Sequence, residues 1–382
     1  MTHQILKNLI LLIFIIALSS CSGTKKRKYK VRKVKFFKTE YSKLVGWEYD
    51  NHLISLKTFS NSCQKILQLN NSNPVSTLTN IGGSAKNWKL ICKKLERAKI
   101  ETSTGAKKFF ERWFIPYVIF DGSTNKKIGK FTGYYEIEIN GSLKKTRRCK
   151  HPVYMPPKNL STHQNRDYLS HSSINKGSLR NKNLEILWVD NHARLYFMHV
   201  QGSGRVKLDN GNLIRLGYAG QNGFDYTSIG PYFKKYDAKG INSALDMIEW
   251  LHRNPRDSKK IIEQNQSYIF FRKINGDGPI GAQGIALTPE RSIALDSAIY
   301  PYGTPIWIDT SLPKTRNYID RKYRRLFIAQ DTGGAIKGAI RGDVFFGHGK
   351  RSEELACYMN NQGKMYALFP RSVKIPKYYR TH

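Results

Sequence analysis

Cysteines and acidic residues are scarce in this chain. Five of the 382 residues are Cys, and no two of them have the Cys-x-x-Cys spacing that holds a zinc ion, so we expect no metal site. Lys and Arg number 64 against 28 Asp and Glu, which gives a net charge of +36. This surplus favours a polyanionic partner, or it is only a solvated basic surface. Because no RNA-binding aromatic motif accompanies it, we expect no nucleic-acid partner.

The chain also lacks an apolar run long enough to cross a membrane. The apolar run at residues 9–18 is half of the roughly twenty residues that a spanning helix needs. Such a short run, followed by small residues, predicts a secretory signal over residues 1–20. The thiol of Cys21 follows Leu-Ser-Ser, as in a bacterial lipobox, and it is therefore a candidate lipidation site. An ordinary signal peptide with an incidental Cys is the alternative.

Basic segments flank the region that we expect to fold. Residues 21–45 are predicted to form a basic tether, and residues 376–382 a basic tail. Outside the cytoplasm, Cys63 and Cys92 could form a disulfide, with buried free thiols as the alternative.

Hydrophobic patterning predicts a mainly β protein with a few helices. Two helices are expected within residues 55–99, the second capped by Ser84, and others at 241–252 and 352–361. The segment 147–183 is polar and predicts surface loops. Short alternating segments predict strands and turns at 109–130, 131–139, 194–200, 205–208, 213–216 and 268–271. Many short strands favour a compact closed barrel over an α/β sheet.

Two aspartates mark the candidate site. The segment 329–349 has the sequence AQDTGGAIKGAIRGDVFFGHG, which places Asp331 before two glycines and Asp343 twelve positions later. Aspartates in such segments often only cap turns. Here further polar residues crowd the same region: Asp296, Lys337, Arg341 and His348. A metal-binding role for His348 is disfavoured by its spacing.

The same segment resembles the aspartate-rich "3D" segment of the membrane-bound lytic murein transglycosylase A family. The resemblance extends to GPIGAQGIALTPERSIALD at 278–296 and IYPYGTPIWID at 299–309. Upstream, FTGYYEIEI at 131–139 and the segment 200–230 also match the family. About two thirds of the chain is covered, with the motifs in family order.

The resemblance implies a fold. Its members have a double-psi β-barrel interrupted by a smaller β-domain, with the substrate groove between the two. Carried onto this chain, the barrel would comprise residues 46–130 and 265–375, and the inserted domain residues 131–264.

The resemblance also implies a reaction on peptidoglycan that needs no cofactor. A lytic transglycosylase cuts the β-1,4 bond after N-acetylmuramic acid, and the C6 hydroxyl of that sugar attacks C1 to give a 1,6-anhydro end. Asp343 occupies the family's catalytic position, so we expect it to act as general acid and then base. Asp331 would support it, and Lys337 would contact substrate. A water-using hydrolase and a non-catalytic peptidoglycan-binding lipoprotein are the alternatives.

Three segments are expected to line the groove, because aromatic rings and polar groups beside glycines suit sugar binding. Sheet packing and turn chemistry are the alternative roles, and at least one of the paired tyrosines should pack inward. The candidate substrate-binding residues are Thr132, Gly133, Tyr134, Tyr135, Gln201, Gly202, Ser203, Gly204, Tyr218, Gln221 and Asn222.

The expected location is the periplasmic face of the outer membrane. The predicted secretory signal places the protein outside the cytoplasm, and in this family a residue other than Asp after the lipidated Cys, here Ser22, points to the outer membrane. The partners expected are peptidoglycan glycan strands, outer-membrane lipid through acylated Cys21, and other cell-wall enzymes.

Overall fold

A computed structural model describes residues 34–76, 80–160, 168–236, 240–276, 278–319 and 321–379. The predicted signal peptide, Cys21 and the first part of the predicted tether lie outside these ranges. Within them, no helix combines the length and the apolar character needed to cross a membrane.

Strands dominate the described ranges. They are β1 (Val34–Lys38), β2 (Phe114–Asp121), β3 (Gly129–Ser142), β4 (His151–Tyr154), β5 (Glu185–Val189), β6 (Ser203–Leu208), β7 (Leu213–Gln221), β8 (Ile269–Ile274), β9 (Ser292–Ala294), β10 (Pro305–Leu312), β11 (Arg321–Asp331), β12 (Arg341–His348) and β13 (Asn360–Pro370). The helices are α1 (His52–Ile66), α2 (Ala85–Arg97), α3 (Ser103–Trp113), α4 (His171–Asn175), α5 (His192–Gln201), α6 (Ala244–Arg253), α7 (Pro255–Ile262) and α8 (Lys350–Tyr358).

Six strands close into a ring. Hydrogen-bonded neighbours run in the order β13, β10, β11, β9, β12 and β3, and β3 pairs again with β13. The β9–β11 and β12–β3 pairs are parallel, whereas β10 is antiparallel to both of its neighbours. Phe131 and Trp307 are fully buried in the core of this ring region. The prediction of a mainly β fold with a closed barrel and a few helices is confirmed.

Strand β3 belongs to two sheets. Its first half pairs with β12 and β13 in the barrel, and Ile137 to Gly141 pair with β6 in a second sheet that continues through β7 and β8. The β6–β7 hairpin confirms the turn predicted from Asp209-Asn210-Gly211, where Gly211 has a φ of 83°. The domain borders predicted at residues 130 and 265 stay a prediction.

One predicted strand is a helix. Residues 194–200 were expected to be extended, but they lie within α5, whose first turn is capped because Asn191 Oδ1 accepts a hydrogen bond from Arg194 N at 3.0 Å. The helix ends at Gly202 in the left-handed conformation. The error has a physical cause. Side chains from Leu195 to His199 are all buried, and a run that is apolar on every side lacks a diagnostic period.

Other boundaries also need correction. The predicted tether ends earlier than residue 45, because Val34 and Phe36 are buried and β1 pairs with β2. The predicted tail is partly structured, since Tyr379 is buried. Helix α3 occupies the start of the segment predicted as strands from residue 109, and the segment predicted as loops at 147–183 contains β4 and α4. The last helix begins at Lys350 and ends at Tyr358 rather than covering 352–361.

The predictions for the first two helices are confirmed. Ser84 caps α2, whose Trp88 and Ile91 are buried. A disulfide joins Cys63 of α1 to Cys92 of α2.

Candidate active site

The two aspartates come together because of strand register. Asp331 of β11 pairs with Ala294 of β9, and Ala294 also pairs with Asp343 of β12. Asp343 in turn lies opposite Thr132 of β3. Residues in register on neighbouring strands present their side chains to the same face of a sheet. The small side chain of Ala294 therefore separates two carboxylates on one face of the barrel.

Asp343 is partly exposed and has a single hydrogen-bond donor among the described residues. The Thr132 hydroxyl donates to its Oδ1, and Arg341 Nη2 donates to the same hydroxyl oxygen at 2.8 Å. Burial of the carboxyl raises the pKa of Asp343, although the positive charge of Arg341 and the bond from Thr132 oppose the rise. Because Oδ1 is an acceptor, Oδ2 is the atom free to carry a proton.

Asp331 is held differently, by three donors. The Tyr134 hydroxyl donates to Oδ2 at 2.7 Å, and the backbone N–H groups of Ala282 and Thr332 donate to Oδ1, each at 2.9 Å. Burial raises the pKa of Asp331, the three donors lower it, and the charge of Asp343 raises it. A carboxyl that accepts from three donors is best satisfied as the ionised form. Both oxygens of Asp331 are therefore engaged, whereas Asp343 accepts through Oδ1 alone among the described residues.

An apolar patch beside the two acids accounts for part of their burial. It is a separate small cluster of five buried side chains: Tyr134, Leu287, Ala294, Ile336 and Phe345. Phe345 shares a strand face with Asp343, whereas Val344 and Phe346 point to the opposite face and join the main core. Of these three residues, Phe345 is therefore the one that packs beside the acids.

Lys337 lies against Asp296 rather than against the two central acids. Its Nζ is 3.9 Å from Asp296 Oδ1, and Asp296 Oδ2 accepts from Gly338 N at 2.9 Å. Asp296 is 2% exposed, so it orders the loop before β12 and is out of reach of a sugar. Lys337 retains partial exposure.

The first candidate segment divides between the site and the core. Thr132 and Tyr134 bind the two acids, as described above. Tyr135 faces the other way, is 2% exposed, and donates to Glu353 Oε1 at 2.8 Å, so this position favours a packing role, and substrate contact stays a prediction. Packing explains why residue 133 is a glycine, because a Cβ there would lie 2.5 Å from Phe346 Cε2 and 2.9 Å from Ala356 Cα.

The second candidate segment is also mainly structural. Gln201 Oε1 accepts from Tyr135 N at 3.0 Å, and Gly202 ends α5. Ser203 is 7% exposed, and a Cβ on Gly204 would lie 2.4 Å from Met198 Sδ. Burial of these two positions, and the closeness of Met198 of α5 to Gly204, favour a structural role, so substrate contact stays a prediction.

In the third candidate segment, two residues are exposed to solvent and one is buried. Tyr218 is 49% exposed and Gln221 is also exposed, so both remain available to a ligand. Asn222 is 1% exposed. Its amide donates to Leu169 O and Gln266 O and accepts from Tyr268 N, so both of its donors are used internally. These bonds disfavour a substrate-binding role for Asn222, which stays a prediction.

Arg341 has a role that the sequence did not indicate. The sequence placed it only among the polar residues near the acids, but its guanidinium binds Thr132, which is 209 positions away in the chain. Only strand register reveals this pair. His348 is exposed beside Arg205 and Arg215, and within the described ranges no group of His, Cys, Asp and Glu could hold a metal ion.

Comparisons with known proteins agree with this geometry. A family model described as the MltA specific insert domain matches residues 130–272, and one described as the 3D domain matches residues 291–369. The membrane-bound lytic murein transglycosylase A homolog of Buchnera aphidicola is 30% identical over 244 residues, covering 63% of this chain and 66% of that protein. The Escherichia coli K12 protein named membrane-bound lytic murein transglycosylase A is 29% identical over 255 residues, covering 65% and 67%. The alignments thus span about two thirds of these relatives.

A solved structure extends the likeness over nearly the whole chain. The membrane-bound lytic murein transglycosylase from Agrobacterium tumefaciens is 27% identical, has a TM-score of 0.76, and is covered over 98% of its chain by 88% of this one. The fold and these relatives define an enzyme of the lytic transglycosylase class, which acts on peptidoglycan. The chain belongs to the membrane-bound lytic murein transglycosylase A family.

Proposed function

We propose that Asp343 is the single general acid and base of a cleavage that leaves 1,6-anhydromuramic acid ends. The observation that carries this proposal is the contrast between the two acids. Asp331 accepts from three donors, whereas among the described residues Asp343 accepts from Thr132 alone and keeps Oδ2 free. On this basis we place the charge on Asp331 and the proton on Asp343.

In the proposed reaction Asp343 first donates a proton and then accepts another. Protonated Asp343 gives its Oδ2 proton to the glycosidic oxygen as the bond from that oxygen to C1 of N-acetylmuramic acid breaks. The C6 hydroxyl oxygen of the same sugar bonds to C1, and its proton passes to the Asp343 carboxylate. The ionised Asp331 stabilises positive charge that develops at C1 and disfavours early ionisation of Asp343.

The groove proposed for the glycan strand lies between the barrel and the sheet of β3, β6, β7 and β8. Support comes from Tyr218 and Gln221, which are exposed on β7, and from Lys337, which keeps a partly exposed side chain beside Asp296. Lys337 would meet a lactyl or peptide carboxylate of the strand.

Digestion of purified sacculi in water enriched in oxygen-18 tests the reaction type. Intramolecular attack gives anhydro ends that are one water lighter and free of the heavy isotope. A hydrolase gives reducing ends that carry it, and that result would reject the proposal in favour of the water-using alternative.

The location proposed is the periplasmic face of the outer membrane, with the chain anchored through acylated Cys21. Support comes from the lipobox-like sequence and from relatives that are named membrane-bound. Growth with an alkyne analogue of palmitate should label the wild-type protein and leave Cys21→Ala unlabelled. Equal labelling of both would contradict the anchor. Other cell-wall enzymes stay candidate partners.

A further inference from the structure

A second cavity lies in the inserted lobe, apart from the two acids. It encloses about 670 Å³ between β4, β5, α4, α5 and the start of α7. Cavities of this size hold ligands in other proteins. None of the residues that bind Asp331 or Asp343 lines it.

Cations surround the mouth of this cavity. Lys145, Lys150, Arg180 and Lys259 line it and are exposed, and none of them forms an ion pair within the described part of the chain. Two carboxylates also line the cavity. Asp190 is already bound to Arg148 at 3.3 Å, and Glu185 remains. The cavity therefore attracts a ligand with more carboxylates than ammonium groups.

Arg180 lies close to the backbone of Gly177 at the edge of the cavity. Gly177 has a φ of 104°, a conformation that favours glycine, and a Cβ there would lie 2.5 Å from Arg180 Nε. The absent side chain leaves room for the guanidinium over the loop after α4.

The walls of the cavity contain aromatic rings and one hydrogen-bond donor that has no partner among the described residues. Trp188 lines the cavity beside His151 and His192, whose rings stack with centroids 5.0 Å apart. Burial and Lys150 lower the pKa of His151 to about 4, so its ring is neutral at pH 7 and can both donate and accept. Asn175 Nδ2 is buried in the wall without a hydrogen-bond partner among the described residues. An unpaired buried donor is costly, and a ligand carbonyl or carboxylate would satisfy it.

We propose that this cavity binds the acidic stem peptide of peptidoglycan, which would give the enzyme a second contact with its substrate. The glycan backbone is neutral apart from the lactyl group, so it would not require four unpaired cations. A peptide with several carboxylates and one ammonium group matches this cavity. Its carboxylates would meet the excess cations, and its ammonium group would meet Glu185. The choice of ligand rests on the proposed function, whereas the cavity and its charges do not.

Calorimetry with stem peptide released from sacculi by an amidase tests the proposal. The double variant Arg180→Glu, Lys259→Glu should weaken binding by at least about ten-fold, since two attractive charges become repulsive. The control variant Lys207→Glu, Lys234→Glu makes the same change of net charge at exposed positions outside the cavity and should bind as the wild type does. Absence of binding to the wild type at millimolar peptide, or equal binding by all three proteins, would overturn the proposal.

Two further measurements separate this site from the reaction centre. The Arg180→Glu, Lys259→Glu variant should lower the ratio of kcat/KM on peptide-bearing strands to that on peptide-free strands, and the control variant should keep the wild-type ratio. An unchanged ratio would overturn the second contact. Asp343→Asn should bind the free peptide with wild-type affinity. If the proposed reaction is wrong, Asp343→Asn still binds the peptide. If the proposed peptide site is wrong, Asp343→Asn is still inactive.

Discussion

The hydroxyl of Thr132 donates a hydrogen bond to Oδ1 of Asp343, its register partner across the parallel β3–β12 pair. Arg341 donates to the same hydroxyl oxygen at 2.8 Å, and this bond directs the hydroxyl proton toward the carboxyl. Thr132 thus fixes which oxygen of Asp343 is the acceptor. In the proposed reaction the other oxygen carries the catalytic proton, so the orientation of one hydroxyl would determine how the acid meets the glycosidic bond.

We expect Thr132→Val to lower kcat by about ten- to a hundred-fold, the range for loss of a group that positions an acid. The bond from Thr132 lowers the pKa of Asp343, so its removal should also raise that pKa. Asp343 must be protonated to act as the acid, and the alkaline limb of the pH–rate profile should therefore move to higher pH. Thr132→Ser keeps the hydroxyl and should stay near wild type. A Val variant with unchanged kcat and pH profile would contradict the role.

Gly133→Ala tests the packing of α8 on the barrel. The added Cβ would lie 2.9 Å from the backbone Cα of Ala356, and a backbone atom cannot easily give way. We expect a loss of about 1–3 kcal/mol in the free energy of unfolding, measured by urea denaturation. Gly334→Ala is the matched control, because its Cβ would have no neighbour within 4 Å. Equal stability of the two variants would show that the contact is not constraining.

The disulfide between Cys63 and Cys92 should contribute to stability, since it closes a loop of 29 positions in the unfolded chain. Replacing both residues by Ser should cost about 3–4 kcal/mol in the free energy of unfolding. Reductant provides the control. It should bring the wild type down toward the double variant and leave the variant itself unchanged. A wild type that is insensitive to reductant would contradict the prediction.

Acid should destabilise the fold through buried histidines. Burial lowers the pKa of His171 to about 4, below its ordinary value near 6.5. The stability that this neutral ring contributes is complete above pH 6.5 and is lost as the pH falls toward 4, because unfolding then takes up a proton. His171→Gln should make the decline of unfolding free energy in this range shallower by up to about 1.4 kcal/mol per pH unit. Denaturation curves at several pH values measure it, and identical slopes would contradict the assignment.

Local sequence patterns predicted the helix caps and turns that a few adjacent residues determine. The capping of α2 by Ser84 and the hairpin at Gly211 follow from the conformations that a few adjacent residues prefer. The family motif identified Asp331 and Asp343 as the candidate acids, which lie on β11 and β12 with β9 between them. Helix α5 was missed because its residues are buried on every side, which removes the amphipathic period.

Long-range pairing could not be predicted in the same way. Thr132 and Asp343 are 211 positions apart, and no pattern near either residue specifies the register that joins them. Asn222 shows a related limit. A polar side chain beside glycines suits a ligand site, yet here its amide serves three backbone groups of a buried turn. Residue type gives chemistry, whereas tertiary contacts decide where that chemistry is used.

The most direct test of the account is the turnover of purified sacculi by Asp343→Asn, with anhydromuramyl ends counted by mass spectrometry. The Asn side chain keeps the shape and can still accept from Thr132, so binding and stability should persist while the proton is lost. Asp309→Asn is the control, since that acid binds Arg324 at 2.6 Å on the β10–β11 pair, away from the site. We predict a loss of about a hundred- to ten-thousand-fold for Asp343→Asn with near wild-type turnover for the control. Turnover by Asp343→Asn within a few-fold of wild type would contradict the central claim.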